Sequence, residues 1–242
     1  NRNKEVKNIQ VKKSLFAHKL VEESMLLANE SAAEFMQDRL NLGVYRVHED
    51  PDPSKLELLK KHFHVPAQIS KKLSPLEVIN SCLKQANKKN DDVGKILVLQ
   101  TLARAEYSTN NLGHFGLQLQ RYAHFTSPIR RYPDLLVHRL ISSFLAHKKP
   151  NRTENELQDE CENASMLERR AEKASRQVEQ VLVCEYLKRK IGSSMNGVIT
   201  GVTDFGLFIN LEPYFISGLL HVSDLPDDHY HLLNNQSILK GR

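Results

Sequence analysis

Apolar positions recur at helical spacing from the first quarter of the chain onward. Val21, Met25, Ala28, Ala32 and Met36 fall on one stripe, which predicts a long helix from about Ser14 to Leu40, with Gly43 shortly after it. His18, Glu22 and Asn29 run along the margin of that stripe. Polar groups in such a place form either a structural hydrogen-bond network or the wall of a site. Val44 to His48 reads as a short strand, and Glu49-Asp50-Pro51-Asp52-Pro53 as a turn. Ser54 with Glu57, and Ser74 with Glu77 behind Pro75, have the spacing of capping boxes and predict helices near 55–63 and 75–87. Pro66 and Lys71-Lys72 mark the loop between them. A further helix is predicted over 92–106, with Ile96, Leu99 and Ala103 on one face.

Phe115, Leu117 and Leu119 alternate with Gly116, Gln118 and Gln120, the period of a half-buried strand. Beyond it, Pro128 suits the first turn of a helix capped by Thr126 or Ser127, and Pro133 must kink that helix or restart it. Thr153 with Glu156 opens the longest periodic segment. There Leu157, Cys161, Ala164, Ala171, Ala174, Val178 and Leu182 keep one face apolar to about Lys190. The period then becomes two. Residues 198–202, 207–211 and 217–222 read as strands, with Asp204-Phe205-Gly206 as the turn between the first two. An OB-type barrel needs about five strands. The expected class is therefore α+β: a helix-rich part over 1–190, then a truncated all-β OB-fold domain over 191–242.

Composition narrows the function classes. With 40% hydrophobic and 26% charged residues, the 242-residue chain can bury a real core. Its 34 basic and 29 acidic residues leave a formal charge of +5, which fits a nucleic-acid partner without demanding one. No apolar run approaches the roughly 18 residues of a membrane span. Cys82, Cys161 and Cys184 are odd in number and widely spaced, which argues against a disulfide framework or a zinc site and for reduced thiols in a cytoplasmic protein. Asn rather than Met at position 1, and no closing signal around Lys240-Gly241, suggest an excerpt of a longer polypeptide.

The richest chemistry lies in His124-Phe125-Thr126-Ser127-Pro128-Ile129-Arg130-Arg131-Tyr132-Pro133-Asp134. Two adjacent guanidiniums, each a planar fork of donors matching a phosphate, sit beside two hydroxyls on a proline-stiffened chain. On composition alone this is either a phosphate grip or an arginine pair that bridges helices. Asp91-Asp92, Asp227-Asp228, Asp50 and Asp52 are isolated and are not expected to hold a metal.

Three stretches resemble one family. They are His18-Lys19-Leu20-Val21-Glu22-Glu23-Ser24-Met25-Leu26-Leu27-Ala28-Asn29, His114 through Arg139 with the arginine run at its centre, and Gly197 through Ser223. The first two are similar to the C-terminal half of the catalytic RNB domain of the ribonuclease II / ribonuclease R family, closer to the ribonuclease R branch. The third is similar to the start of an S1-like RNA-binding domain. The resemblance implies a processive 3′-to-5′ exoribonuclease that degrades single-stranded RNA to nucleoside 5′-monophosphates and is expected to be monomeric. It also implies Mg2+ held by an aspartate cluster upstream of the Glu22 helix, a cluster this chain lacks. Under it, Arg130 matches the arginine beside the scissile phosphate and Glu22 the glutamate on the ribose 2′-hydroxyl. His114, Thr126, Ser127 and Arg131 become candidates for backbone phosphates. Tyr122 and Phe125 would line the channel or simply pack in the core. Phe205, Phe208 and His221 match the S1-like binding face, although the two phenylalanines would equally suit a barrel core. A non-catalytic RNA-binding module is the alternative.

Overall fold

The computed structural model describes residues 6, 8–9, 14–66, 68, 73–89, 91–212, 216–226, 228–233 and 238–241. The expected Lys71-Lys72 loop, Asp227 and the side chain of Asp92 lie outside the described residues. Helices predominate and the sheets are small and antiparallel, an α+β fold. The chain divides into two compact units, one built from Lys13–Pro53 and Leu102–Arg176, the other from Asn1–Lys12, Ser54–Thr101 and Gln177–Arg242.

The first unit opens with helix α1, Phe16–Phe35, which runs into a wider π turn over Met36–Leu40. Its stripe is buried only toward the C-terminal end. Ala32 and Met36 are in the core, whereas Val21 is exposed. Strand β1, Tyr45–Val47, pairs antiparallel with β2, Glu106–Ser108. Two helices complete the unit: α5, Tyr132–Leu145, and the first two-thirds of α6, Glu154–Lys188. Ala33, Met36, Val44, Val47, Val137, Leu157 and Cys161 form its core. The α6 capping box is present: Thr153 N–H and Oγ1 donate to Glu156, and Glu156 N–H donates back to Thr153. The apolar face of α6 is buried through Ser165, but Ala171, Ala174, Val178 and Leu182 are exposed.

The second unit carries α2, Pro53–His62, α3, Pro75–Lys89, and α4, Asp92–Thr101. The predicted box at Ser74 and Glu77 caps α3. In α2 the carboxylate of Glu57 meets the ammonium of Lys60. Helix α4 stops at Thr101, short of the predicted 106, and the chain beyond it is drawn into β2. Its buried face is Gly94, Val98 and Thr101 rather than Ile96 and Leu99. Strands β3, Gly197–Val202, β4, Gly206–Leu211, and β5, Ile216–His221, form an antiparallel meander, with a bulge between Ile199 and Gly201. The first turn needs glycine at 206, where a Cβ would run into the Leu220 carbonyl oxygen. A short pair, β6, His231–Leu232, and β7, Leu239–Lys240, follows. No described helix is long and apolar enough to cross a membrane.

The strand predicted over Phe115–Leu119 is a 3-10 turn over Phe115–Leu117. Imidazoles take the backbone donors that a strand would offer to a neighbour. Gly116 N–H donates to His48 Nδ1 at 2.7 Å, and Leu117 N–H to His114 Nδ1 at 3.2 Å. Pro133 resolves its two options by starting α5 at the second helical position, with Arg131 as N-cap. Thr126 and Ser127 therefore lie ahead of the helix in a separate turn and do not cap it.

Candidate nucleic-acid interface

Residues 125–131 form a tight turn. The amides of Arg130 and Arg131 both donate to the Ser127 carbonyl, at 3.2 and 3.1 Å. Pro128 fixes one φ inside it. Two buried side chains hold the turn from different helices. Asn29 of α1, 3% exposed, accepts the amides of Phe125 and Thr126 on Oδ1 at 2.9 and 3.2 Å, and donates through Nδ2 to Tyr122 Oη at 2.9 Å. Asp134 of α5, fully buried, accepts the Ser127 amide and Arg131 Nη2 on Oδ1, both at 2.8 Å. Phe125 is fixed twice more: its carbonyl faces His138 Nε2 at 2.9 Å, and its ring stacks on the His138 ring at 4.1 Å.

The two arginines therefore differ. Arg131 is spent on Asp134, and its Nε is buried without a partner. Arg130 is exposed, and its side chain makes no hydrogen bond or ion pair among the described residues. Beside it Ile129 projects almost completely into solvent. Of the residues singled out in the sequence, Tyr122, Phe125, Thr126, Ser127, Arg130 and Arg131 come together here. Tyr122 is buried and bonded to Asn29. Thr126 Oγ1 is buried without a partner. Glu22 is exposed, seven residues before Asn29, so the two share a face of α1 roughly 10 Å apart along its axis. Asn29 stood out in the sequence as a polar residue on the margin of the stripe. Asp134 and His138 did not, because an acid in a first helical turn and a histidine in a helix have ordinary surface readings.

A ladder of rings backs the turn: His48, His114, Tyr122 and His124 follow one another at centroid spacings of 5.1, 5.4 and 5.7 Å. Tyr107 Oη lies 2.9 Å from His124 Nδ1, with the Arg46 guanidinium over the Tyr107 ring. Burial, reinforced by His48, pushes the His114 pKa down to about 4. Burial, with Arg131 and Arg46 nearby, pushes that of His124 down to about 3. Both rings are thus neutral when folded but take a proton near pH 6.5 when unfolded. Their contribution to stability is complete above that pH and drains away as pH falls toward 4. The urea midpoint is expected to drop across this window. His124→Gln, which keeps a polar partner for Tyr107, is expected to shallow the drop. A wild-type midpoint unchanged from pH 7 to 4.5 would contradict this.

Among the described residues, no three His, Cys, Asp or Glu side chains gather to hold a metal ion. Asp91 has a local role instead, accepting the Gly94 amide at the start of α4. The described side chains do not fit a magnesium centre.

In the β-meander, Phe205 and Phe208 meet edge to face at 6.2 Å and are 44% and 36% exposed. Leu219, the cross-strand partner of Phe208, is exposed as well. His221 is exposed and its ring bonds Ser223.

The family model of the RNB domain matches residues 1–147, and that of the S1 RNA binding domain matches residues 188–241. Ribonuclease R of Vibrio cholerae is 37% identical over 230 residues, covering 89% of this chain and 28% of that protein. Ribonuclease R of Thermotoga maritima is 38% identical over 251 residues, covering 99% of this chain and 35% of that protein. The chain thus spans about a third of the length of these curated relatives. Among solved structures, the apo form of Mycoplasma genitalium RNase R superposes with a TM-score of 0.81 at 28% identity, over 96% of this chain and 38% of that one. The same protein in complex with ribose methylated single-stranded RNA gives 0.79 at 29% identity, with the same coverage.

Proposed function

The chain belongs to the RNB domain family, and from that premise we propose that it is the arginine-bearing part of a 3′-to-5′ exoribonuclease. The reading covers processive degradation of single-stranded RNA to nucleoside 5′-monophosphates by a cytoplasmic monomer. Residues 1–190 are the C-terminal part of the RNB catalytic domain, and residues 191–242 begin an S1-like domain. The hydrolysis uses Mg2+ held by aspartates upstream of this chain, as the family resemblance implies.

What this chain's own residues do follows from their setting. Arg130 leaves its turn unpaired, so its full fork is available to a phosphate. In a site shielded from water, a preplaced guanidinium offsets charge that develops on the phosphate oxygens in the transition state. Glu22, exposed on the Asn29 face of α1, accepts from a ribose 2′-hydroxyl, the group that distinguishes RNA from DNA. Ser127 and His114 serve the backbone at longer range; Thr126, whose hydroxyl is buried, and Arg131, held by Asp134, act through the shape of the turn, and Tyr122 and Phe125 shape the wall. Phe205, Phe208 and His221 offer a stacking surface, worth roughly 1–3 kcal/mol per base. The observation that carries the reading is the unpaired Arg130 at the tip of a turn anchored on both sides. A second reading is that this chain by itself binds RNA and does not cut it; among the described residues no metal cluster is present.

Affinity for poly(A) tests the shared element. Each phosphate neutralised contributes about −0.7 to the slope of log affinity against log salt on a single strand. A steep fall with salt is expected, and no measurable binding at low salt would sink both readings.

A further inference from the structure

We infer that Asn29 is a positioning residue for Arg130, acting through the backbone of the turn and not through RNA. The inference rests on the placement of Arg130 at a phosphate. Asn29 is 3% exposed, so it has no surface to offer a substrate. Its carbonyl oxygen instead holds two consecutive amides, those of Phe125 and Thr126, and Asp134 holds the next, that of Ser127. Three successive N–H groups are thus tied to side chains from two different helices. The Ser127 carbonyl then accepts the amides of both arginines, which carries the anchorage forward to Arg130. Only Pro128 and Ile129 intervene, and the proline is stiff. The Arg130 side chain has no partner among the described residues to hold it. The backbone on which it stands is therefore the main determinant of where its guanidinium begins. Tyr122 Oη takes Asn29 Nδ2 and fixes the amide the right way round, its carbonyl toward the turn.

Loss of this grip leaves two part-buried amides without acceptors and frees the turn to shift. A misplacement of about 1 Å at a catalytic group costs up to roughly 100-fold in rate. The test is a double-mutant cycle in an upstream-extended, RNA-cleaving form of the protein, reading kcat separately from RNA Kd. Arg130→Ala is expected to lower kcat by about 100-fold or more. Asn29→Ala is expected to lower kcat about 10- to 100-fold with little change in Kd. Asn29→Asp, which keeps the acceptor oxygen, is expected to recover most of that loss. The double variant is expected to be no slower than Arg130→Ala alone. A double variant slower by the whole Asn29→Ala factor overturns the inference, and so does an Asn29→Asp variant as slow as Asn29→Ala. An Arg130→Ala enzyme with unchanged kcat overturns the Arg130 assignment itself, which separates that failure from failure of the clamp. Should Asn29→Ala not fold, Asn29→Ser keeps one acceptor at shorter reach and carries the same cycle.

Discussion

Arg130→Ala, made in an RNA-cleaving form of the protein, is expected to lower turnover by about 100- to 1,000-fold, the range for losing one preplaced transition-state donor. RNA affinity is expected to fall far less. One phosphate contact among many is lost, and the slope of log affinity against log salt shrinks by less than 1. The asymmetry follows from the setting of the side chain. Among the described residues the Arg130 side chain has no ion pair to give up, so its removal is expected to cost little inside the fold. Steady-state kcat and equilibrium RNA binding, measured on the same preparation, check this. Equal losses in both would mean that Arg130 holds the ground state and the transition state alike.

The neighbouring position behaves in the opposite way. Asp134→Ala is expected to destabilise the fold by about 3–5 kcal/mol, the cost of leaving one member of a buried ion pair alone. That corresponds to a fall in Tm of roughly 10 °C for a chain of this size. Asp134 is fully buried, and it is the partner of both the Ser127 amide and the Arg131 guanidinium, whose side chain is 19% exposed. Asp134→Asn keeps an acceptor for the amide and is expected to cost less. Thermal and urea unfolding of the two variants decide the matter, and a loss under about 1 kcal/mol for Asp134→Ala would show the pair to be dispensable.

The motif that drew attention in the sequence offered a phosphate grip and a structural arginine bridge as alternatives. In the structure the two arginines differ. Arg131 pairs with Asp134, three residues on in the helix it caps, so it bridges no helices, while the Arg130 side chain has no partner among the described residues. Spacing could not separate them, because which arginine faces inward depends on where α5 starts, and Pro133 allowed either a kink or a restart. Local chemistry was legible where it was self-contained. The capping boxes at Ser74 and Thr153 formed with their predicted partners. It was illegible where a distant residue intervened. Phe115 to Leu119 alternates like a strand, but rings at His48 and His114 capture the Gly116 and Leu117 amides and close a turn. Helix α4 likewise ends early, because the residues after Thr101 enter β2 opposite β1, a partner some 60 residues upstream in sequence. The S1-like turn was plain from Asp204-Phe205-Gly206, yet the exposure of Phe205 and Phe208 required the sheet.

The central claim is that this chain carries the arginine side of an RNA-cleaving site whose metal side lies elsewhere. Degradation of a 5′-labelled single-stranded RNA, with and without Mg2+, tests it most directly when this chain and an upstream-extended chain are run side by side, with a matched DNA strand as control. The extended chain is predicted to shorten the RNA from its 3′ end to mononucleotides only with Mg2+, and to spare the DNA, while this chain alone leaves the RNA uncut. Mg2+-dependent cleavage by this chain alone, or an extended chain that leaves the RNA intact, would contradict it.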